Sequence, residues 1–442
     1  MTTKVPRVLC MLRKDFNTQV GEYFWHLLYD DKANLRERHI LMFSADTRIL
    51  EYKEKRIILN ALNGLWIRVS KKVYDLFALV EKEKLSFDQL LKALHDDQDR
   101  EYIKSVYRKM QEIGVVEKKE NVRKENRSIL FEVTRRCNLH CLHCCVSAER
   151  ETDFEMSFDN IIMSLNKIIC WKPRQISLTG GEPLMREDIF EIFKYLNKRY
   201  DGRLTLSTNG TLINEKNVEN LIHYLDQIDI SIDGVDEETC SRVRGKGTFE
   251  MIVKAVRLLH KKGFYAITLS MISDKFHRKM EDEFYKLNEE LGTTPIVRSF
   301  APVGRGEKSS NLLKNDKYYD PTPIITKPLI QACSCKAGKE KFLIDYKGNI
   351  YPCQYFVGTG FCVGNILENK NFPIDISIDV MKYYFPQNYE KCSSCPVNIF
   401  CWPCPGELYL YSEANQTKNF EKICEFQKKF LYKQVWDEDV LV

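Results

Sequence analysis

The middle of this chain predicts an α/β fold built on a parallel sheet, and three observations carry the prediction. Between residues 128 and 300, short aliphatic and β-branched runs alternate six times with helical patterns. Ahead of them lie strand-like runs followed by three amphipathic helical patterns. Behind them the periodicity gives way to short segments punctuated by Gly, Pro and Cys. At the usual domain size, 442 residues make about three domains. The divisions drawn are 1–116 for a small α+β unit, 117–127 for a linker, 128–300 for the repeat and 301–442 for the cysteine-rich end.

In the first unit, residues 56–69 (RIILNALNGLWIRV) place Asn63-Gly64 between two apolar runs, a strong hairpin signal. Residues 39–43 and 48–52 are further candidate strands. Val73, Leu76, Phe77 and Val80 recur at helical spacing, as do Phe87, Leu90, Leu91 and Leu94. Ser86 and Gln89 fit a capping box at the start of the second helix. Ile103, Val106, Tyr107, Met110 and Ile113 define a third helix, which Gly114 is placed to stop. Strands followed by three helices describe a winged-helix-like unit. Its third helix mixes Lys104, Arg108 and Lys109 with Glu101 and Glu112, so it offers no concentrated phosphate-binding face. Residues 117–127 (EKKENVRKENR) have no apolar face and read as a charged linker.

The repeat places strands at 129–134, 175–179, 204–208, 228–232, 265–271 and 295–300. Helical patterns lie between them, such as Ile161, Leu165, Ile168 and Ile169. Strand–helix alternation of this kind requires a parallel sheet with helices outside, either open or curled into a partial barrel.

Composition excludes several function classes. The chain is 44% hydrophobic and 29% charged, which is ordinary for a globular protein. The net charge of +5 sets 67 basic against 62 acidic residues and points to neither nucleic acid nor a membrane surface. No run approaches the roughly 18 to 20 apolar residues of a membrane span. The first residues, MTTKVPRVLCMLRKDF, carry no apolar core of signal-peptide length. These features predict a soluble, cytoplasmic protein. The unusual number is 16 cysteines, which in a reducing compartment indicates metal or redox chemistry rather than disulfides.

The cysteines fall in two groups. Cys137-x3-Cys141-x2-Cys144 follows the first strand of the repeat, where parallel α/β folds gather their ligands. Three thiolates can hold three irons of a 4Fe–4S cluster and leave the fourth open to an outside ligand. A zinc site completed by His140 or His143 is the alternative. Around the same rim come Thr179-Gly180-Gly181-Glu182-Pro183, Ser207-Thr208-Asn209-Gly210 and Ser231-Ile232-Asp233-Gly234, at the ends of the second, third and fourth strands. The glycines admit a ligand close to the backbone, Glu182 can accept from an ammonium group, and Arg244 can pair with a carboxylate. Taken singly, Asn-Gly and Asp-Gly are ordinary turn formers. Gly304-Arg305-Gly306, just past the sixth strand, reads either as a source of donors at the site mouth or as a plain connector.

With these motifs the chain resembles the radical S-adenosylmethionine (SAM) superfamily over residues 128–300. The resemblance implies a partial (β/α)6 barrel in which Cys137, Cys141 and Cys144 hold a 4Fe–4S cluster whose open iron takes SAM. An electron from the cluster then cleaves SAM to a 5′-deoxyadenosyl radical that abstracts a substrate hydrogen. By the same resemblance Gly180, Gly181 and Glu182 hold the amino group of SAM, and Ser207, Asn209, Ser231, Asp233 and Arg244 its ribose and carboxylate. His143 departs from the family, which usually carries an aromatic hydrocarbon ring or Tyr there. An electron donor such as flavodoxin or ferredoxin is implied, and no catalytic base is assigned.

The second group, Cys335, Cys353, Cys392-x2-Cys395-x5-Cys401-x2-Cys404 and Cys424, resembles the SPASM extension of radical SAM enzymes, which implies two auxiliary iron–sulfur clusters. The family more often has three residues where this chain has two, between Cys401 and Cys404. By resemblance Cys392, Cys395, Cys401 and Cys424 hold one cluster. Cys335, Cys353 and Cys404 hold the other, with Cys333 or Cys362 as its fourth ligand, or an open iron. Paired zinc ribbons are the alternative.

The first unit resembles the PqqD-like element that recognises leader peptides in maturases of ribosomally made peptides. Such a unit binds a peptide by adding it as a strand to a sheet edge. The three modules together imply a peptide maturase, with thioether crosslinking from Cys as the leading chemistry. The alternatives are carbon–carbon or ether crosslinking, epimerisation, anaerobic sulfatase maturation, or a non-enzymatic zinc scaffold. Five thiols, Cys10, Cys145, Cys170, Cys240 and Cys362, are left as structural by default.

Overall fold

A computed structural model describes residues 40–116, 127–273, 280–300, 303–308, 332, 335–368, 390–401, 404–406, 409, 424–425 and 428–437. The first unit opens with an antiparallel sheet of β1 (Thr47–Tyr52), β2 (Lys55–Asn60) and β3 (Trp66–Ser70), in that spatial order. Three helices follow: α1 (Lys71–Lys82), α2 (Phe87–Ala93) and α3 (Asp97–Ile113). Their starts are set by side-chain caps. Ser70 accepts from the Val73 amide, and Ser86 with Gln89 forms the expected capping box. Asp96 caps α3, and Gly114 ends it in the left-handed conformation.

Two details differ from the sequence reading. Residues 40–43 form no strand; Ile40 and Phe43 make single bridges to Ser86 and Val116, through the Leu41 and Ser44 amides donating to the Leu85 and Val115 carbonyls. His39 and residues 117–126 lie outside the described residues. The turn around Asn63-Gly64 is also longer than a two-residue hairpin, since β2 stops at Asn60. Gly64 has φ of 70°, and a side chain there would meet the Ala332 carbonyl oxygen at 2.3 Å. Its positive φ therefore serves a long-range contact as well as a turn.

The repeat forms six parallel strands: β4 (Ser128–Thr134), β5 (Gln175–Gly180), β6 (Arg203–Thr208), β7 (Gln227–Ser231), β8 (Ile267–Ser273) and β9 (Thr294–Ser299). Each pairs with the next in sequence. Strictly sequential order with right-handed crossovers puts every helix on one face, which curls such a sheet into a partial barrel rather than a doubly wound layer. The helices are α4 (Phe158–Cys170), α5 (Ile189–Arg199), α6 (Val218–Tyr224), α7 (Glu237–Arg244), α8 (Thr248–Lys261) and α9 (Glu281–Leu291).

The faces sort accordingly. Ile129, Phe131, Val133, Ile176, Leu178, Leu204, Leu206, Ile228 and Ile230 share one core with the helices. The alternate positions are polar: Glu132, Ser177, Thr205, Asp229, Thr268 and Ser270. A nonpolar outer face and a polar inner one suit a lumen that holds a polar ligand.

The sheet continues past residue 300. β10 (Lys341–Ile344) pairs in parallel with β4, and β11 (Asn349–Tyr351) and β12 (Gly364–Asn365) extend it antiparallel. Two short helices, α10 (Arg305–Lys308) and α11 (Glu390–Ser393), and then α12 (Asn398–Cys401), complete the labelled elements.

The first unit docks on the cysteine-rich end. Ile57 and Leu59 share a core with Val397, Ile399, Phe400, Leu431, Tyr432, Val435 and Trp436. Trp436 lies 5.5 Å from the Tyr52 ring, and its indole N–H donates to the Pro396 carbonyl at 3.2 Å. Lys55 and Arg68 donate to the Trp436 and Val435 carbonyls at 2.6 and 2.8 Å. Replacing a fully buried Trp by Ala costs about 3–5 kcal/mol. Trp436→Ala is therefore expected to lower the denaturation midpoint and expose the junction between first unit and C-terminal region to limited proteolysis. A melt and digest like the parent's would show that this wedge does not join the units.

Candidate active site

The three cysteines expected to hold a cluster lie on one loop between β4 and α4. Cys137 and Cys141 are buried and Cys144 is half-buried. The loop is closed at its base by Cys137 N–H donating to the Glu149 carbonyl at 2.7 Å. Amides point at sulfur: Leu139 N lies 3.4 Å from Cys137 Sγ, and Ala148 N 3.3 Å from Cys144 Sγ. Asn209 Nδ2 and Arg244 Nη1 approach Cys137 and Cys141 at 3.8 and 3.9 Å. Hydrogen bonds to sulfur are a principal means by which proteins tune iron–sulfur potentials.

Burial pushes the Cys137 thiol up to about 11, and its neighbours Glu182, Cys141 and Cys144 push the same way. Burial also raises Cys141, against the opposing cation Arg244. Iron binds these side chains as thiolates, so ligation releases their protons, and burial makes that release costlier.

The zinc alternative finds no converging set of donors among the described residues. His140 Nε2 faces Glu149 at 3.4 Å, and His143 Nε2 faces Asp233 at 2.7 Å. Among the described residues, no three His, Cys, Asp or Glu side chains converge where one ion could sit. A cluster makes no such demand, because each of its irons takes one thiolate.

Glu182 is fully buried, and its carboxylate ties the ends of β5 and β6 together. Its Oε1 accepts from Leu184 N at 3.1 Å and Thr208 Oγ1 at 2.8 Å, and its Oε2 accepts from Asn209 N at 2.7 Å. Burial raises its pKa against these bonds. Three of its acceptor directions are thus filled by protein, leaving one on Oε2 for an outside donor. Gly180 and Gly181 are explained by the chain itself: a side chain would meet the Thr134 oxygen at 2.0 Å or the Arg136 oxygen at 2.2 Å. They let the β5 end pass the β4 end, rather than only admitting a ligand.

Asp233 holds the opposite rim. It has φ of 47°, a left-handed conformation that Asp tolerates better than most residues. Its Oδ1 accepts from Ile272 N at 2.6 Å. Its Oδ2 lies 2.5 Å from Arg244 Nη2 and 2.7 Å from His143 Nε2. Burial opposes its ionisation, but Arg244 and His143 hold its carboxyl well below the usual range. Arg244, expected to face a ligand carboxylate, is thus already paired with a protein one. His143, a departure from the family pattern, becomes the link between the cysteine loop and β7.

Among the described residues, two buried nitrogens in this patch, His143 Nδ1 and Arg244 Nε, have no hydrogen-bond partner, and Asp233 Oδ2 is met only through its ion pairs. Orphaned polar atoms beside the cysteines mark a place for a polar ligand, so these residues fit a bound SAM. Ser207 and Ser231 sit half-buried near the ends of β6 and β7, with Ser270 Oγ 3.5 Å from Ser231 Oγ.

Sequence reasoning passed over several residues here. Arg135 pairs with buried Glu132 at 3.0 Å and donates to the Val146 carbonyl. Burial pushes Glu132 up to about 7. Arg186 donates to the Val133 and Met156 carbonyls at 2.8 and 3.0 Å and grips Asp188 with two nitrogens. Of these only Arg135, with Arg136 just before Cys137, had a visible position in the sequence.

In the C-terminal region, burial raises the Cys401 thiol and Cys424, Cys395 and Cys392 each add to it, so these three lie within electrostatic reach of Cys401. Burial pushes Cys353 up to about 12, with Cys335 adding to it. Cys335 and Cys353 pack beside Phe356, Phe361 and Tyr409. Cys404 is half-buried, and Cys333 lies outside the described residues. Cys362 is exposed, with its thiol 3.5 Å from the Gly364 carbonyl.

The Glu182 network carries a prediction. Glu182→Gln turns one acceptor into a donor facing a donor N–H, a mismatch worth about 1–3 kcal/mol. The variant is expected to melt earlier and to bind SAM more weakly by calorimetry. Parent-like binding would remove Glu182 from the SAM site.

Comparison with known proteins places this geometry. Residues 131–286 match the radical SAM superfamily profile, and residues 333–396 match SPASM, an iron–sulfur cluster-binding domain. The mycofactocin maturase MftC of Mycobacterium tuberculosis (strain CDC 1551 / Oshkosh) is 27% identical over 294 residues, covering 60% of this chain and 75% of that protein. The subtilosin biosynthesis protein AlbA of Bacillus subtilis is 27% identical over 322 residues, covering 67% and 70%. An AdoMet-dependent heme synthase of Methanosarcina barkeri is 33% identical over 329 residues, covering 64% of this chain and 92% of that protein. The crystal structure of Streptococcus suis SuiB bound to precursor peptide SuiA shares the fold, with a TM-score of 0.50 and 16% identity over 82% and 94% of the two chains. No described helix is long and apolar enough to cross a membrane. SAM and iron–sulfur clusters are the cofactors of this enzyme, and the chain belongs to the radical SAM superfamily.

Proposed function

We propose that this enzyme modifies a ribosomally made precursor peptide, forming thioether crosslinks from Cys. The observation that carries this reading is the docking of the three-stranded sheet on the cysteine-rich region. Ile57 and Leu59 of β2 share a core with residues packed against Cys335, Cys395 and Cys401. The sheet ends in β1 and β3, each pairing on one side only among the described strands. A leader segment added to one of these edges, as in PqqD-like elements, is tethered beside the auxiliary cysteines. One relative is named a maturase, of mycofactocin, and another a biosynthesis protein of the bacteriocin subtilosin, which supports a maturation role.

In this reading the cluster and SAM, when bound, supply a carbon radical that removes a hydrogen atom from the peptide. The chain's own residues do the rest. Asn209, Asp233 and Arg244, with Ser207 and Ser231, orient the polar parts of SAM, and Glu182 offers its remaining acceptor direction to the ammonium. The polar lumen positions, among them Ser177, Thr205 and Ser270, receive the peptide backbone. Cys392, Cys395, Cys401 and Cys424 hold one auxiliary cluster, and Cys335, Cys353 and Cys404 hold a second, with Cys333 or Cys362 as its fourth ligand or with an open iron. Flavodoxin or ferredoxin supplies the electron.

A second reading rests on the heme synthase, which is 33% identical to this chain over 92% of its own length. It would give the lumen a tetrapyrrole carboxylate as substrate. The two readings separate in one experiment. Anaerobically reconstituted enzyme, reductant and SAM are incubated with a short Cys-containing peptide encoded beside the gene, or with a porphyrin carboxylate. The expected result is 5′-deoxyadenosine and loss of a hydrogen pair from the peptide for each crosslink, with the porphyrin unchanged. Unchanged peptide mass with SAM cleaved defeats the crosslinking reading. Absence of SAM cleavage with intact clusters defeats the placement of SAM chemistry at this site.

A further inference from the structure

Gly304-Arg305-Gly306 has no part in the site as described above, yet it reaches back across the barrel to the cysteine loop. The Arg305 amide donates to the Cys144 carbonyl at 3.0 Å. Its Nε donates to the Cys141 carbonyl at 3.0 Å, and its Nη1 to the Ala148 carbonyl at 2.5 Å and to Glu149 Oε1 at 2.8 Å. The side chain is 12% exposed. Gly304 makes the approach possible: its φ is 60°, and a side chain there would meet the Cys144 and Cys145 carbonyl oxygens at 2.6 Å. One guanidinium and one amide thus occupy carbonyls of two of the three cluster cysteines and of the residue whose own amide points at Cys144 Sγ.

We propose that Arg305, presented by Gly304, is a positioning residue for the cluster held by Cys137, Cys141 and Cys144. A short loop carrying three thiols has many conformations, and cluster assembly requires one of them. Carbonyls held outward by a rigid planar fork leave the loop amides and thiols facing inward. The contact spans 164 positions from Cys141 to Arg305, so it also fastens the chain after the last barrel strand to the loop after the first. Arg305 does not touch the reacting atoms; it acts through the loop. The inference rests on the cluster and on no particular substrate.

The test uses the full chain, reconstituted anaerobically, as parent, Arg305→Gln, Arg305→Lys and Gly304→Ala. A Cys137→Ala/Cys141→Ala/Cys144→Ala variant gives the iron content and spectrum of the auxiliary region alone. Two quantities are read: the rate at which a chelator removes the iron above that reference, and the electron paramagnetic resonance signal of the reduced cluster with and without SAM. Loss of a supporting group around a metal site typically costs roughly tenfold or more in retention. Arg305→Gln and Gly304→Ala are expected to release iron roughly tenfold faster and to shift the signal. Arg305→Lys, which keeps charge without the fork, is expected to fall between them and the parent. Auxiliary signals and the melting transition should stay as in the parent. Parent-like release and spectra in all three variants overturn the proposal. Loss of the auxiliary signal and melting transition together with the cluster overturns it too, because that pattern marks a general folding role.

Discussion

Everything at the active site depends on two peptide chains passing closer than any side chain would allow. The end of β5 crosses the end of β4 at Gly180 and Gly181, with the Gly181 and Glu182 amides donating to the Thr134 and Arg136 carbonyls at 2.9 and 2.7 Å. The β4–β5 register shifts at the same place, between Glu132 and Thr134. A shift of this kind bends the strand and lifts its continuation off the sheet. Cys137 begins three residues later, so the crossing sets where the cysteine loop leaves the barrel. It also delivers Glu182 to the ends of β5 and β6, where its carboxylate takes three donors that would otherwise be buried without partners.

The electrostatics of the rim follow from the same compaction. Asp233, Arg244 and His143 form a nearly dry cluster, each side chain at most 9% exposed. Burying one carboxylate against two possible cations is tolerable only with good geometry and satisfied remaining atoms. Here His143 Nδ1 and Arg244 Nε remain unsatisfied. Stability alone does not explain keeping such a cluster; an apolar filling would serve the fold as well or better. A polar ligand that completes these atoms does explain it. His143 replaces the family's aromatic ring with a group that can bind Asp233, so the departure reads as a different way of fixing the same loop.

The strand and helix order was legible because the helix-facing positions are nonpolar at strict alternation, as in Ile129, Phe131 and Val133. Caps were legible because their signals are local, as at Ser86, Gln89 and Gly114. The cysteine spacings were legible for the same reason. What the sequence hid is long-range. Gly64 looks like a turn glycine, and only the fold reveals Ala332 against it. Glu182 looks like a free acceptor until Thr208 and Asn209 arrive from the next strand. Arg305 reads as a connector residue because its partners lie more than 150 positions away. Local pattern cannot rank such contacts, since their cost and reward are set by how the barrel brings its ends together.

One local pattern did carry long-range meaning. In β2, Ile57, Ile58 and Leu59 are all fully buried. Successive residues in a strand point to opposite sides, so an uninterrupted apolar run requires a cover on both faces of the sheet. Ile58 packs with Val73, Phe77 and Met110 from the first unit's own helices. Ile57 and Leu59 pack with Val397, Phe400, Val435 and Trp436. A winged-helix unit working alone would need only one covered face, and its central strand would alternate. The run RIILN therefore argues against a detachable DNA-binding lobe and for a sheet built into the wall of the cysteine-rich region. Its faces are spent on packing, and what remains available to another chain is an edge.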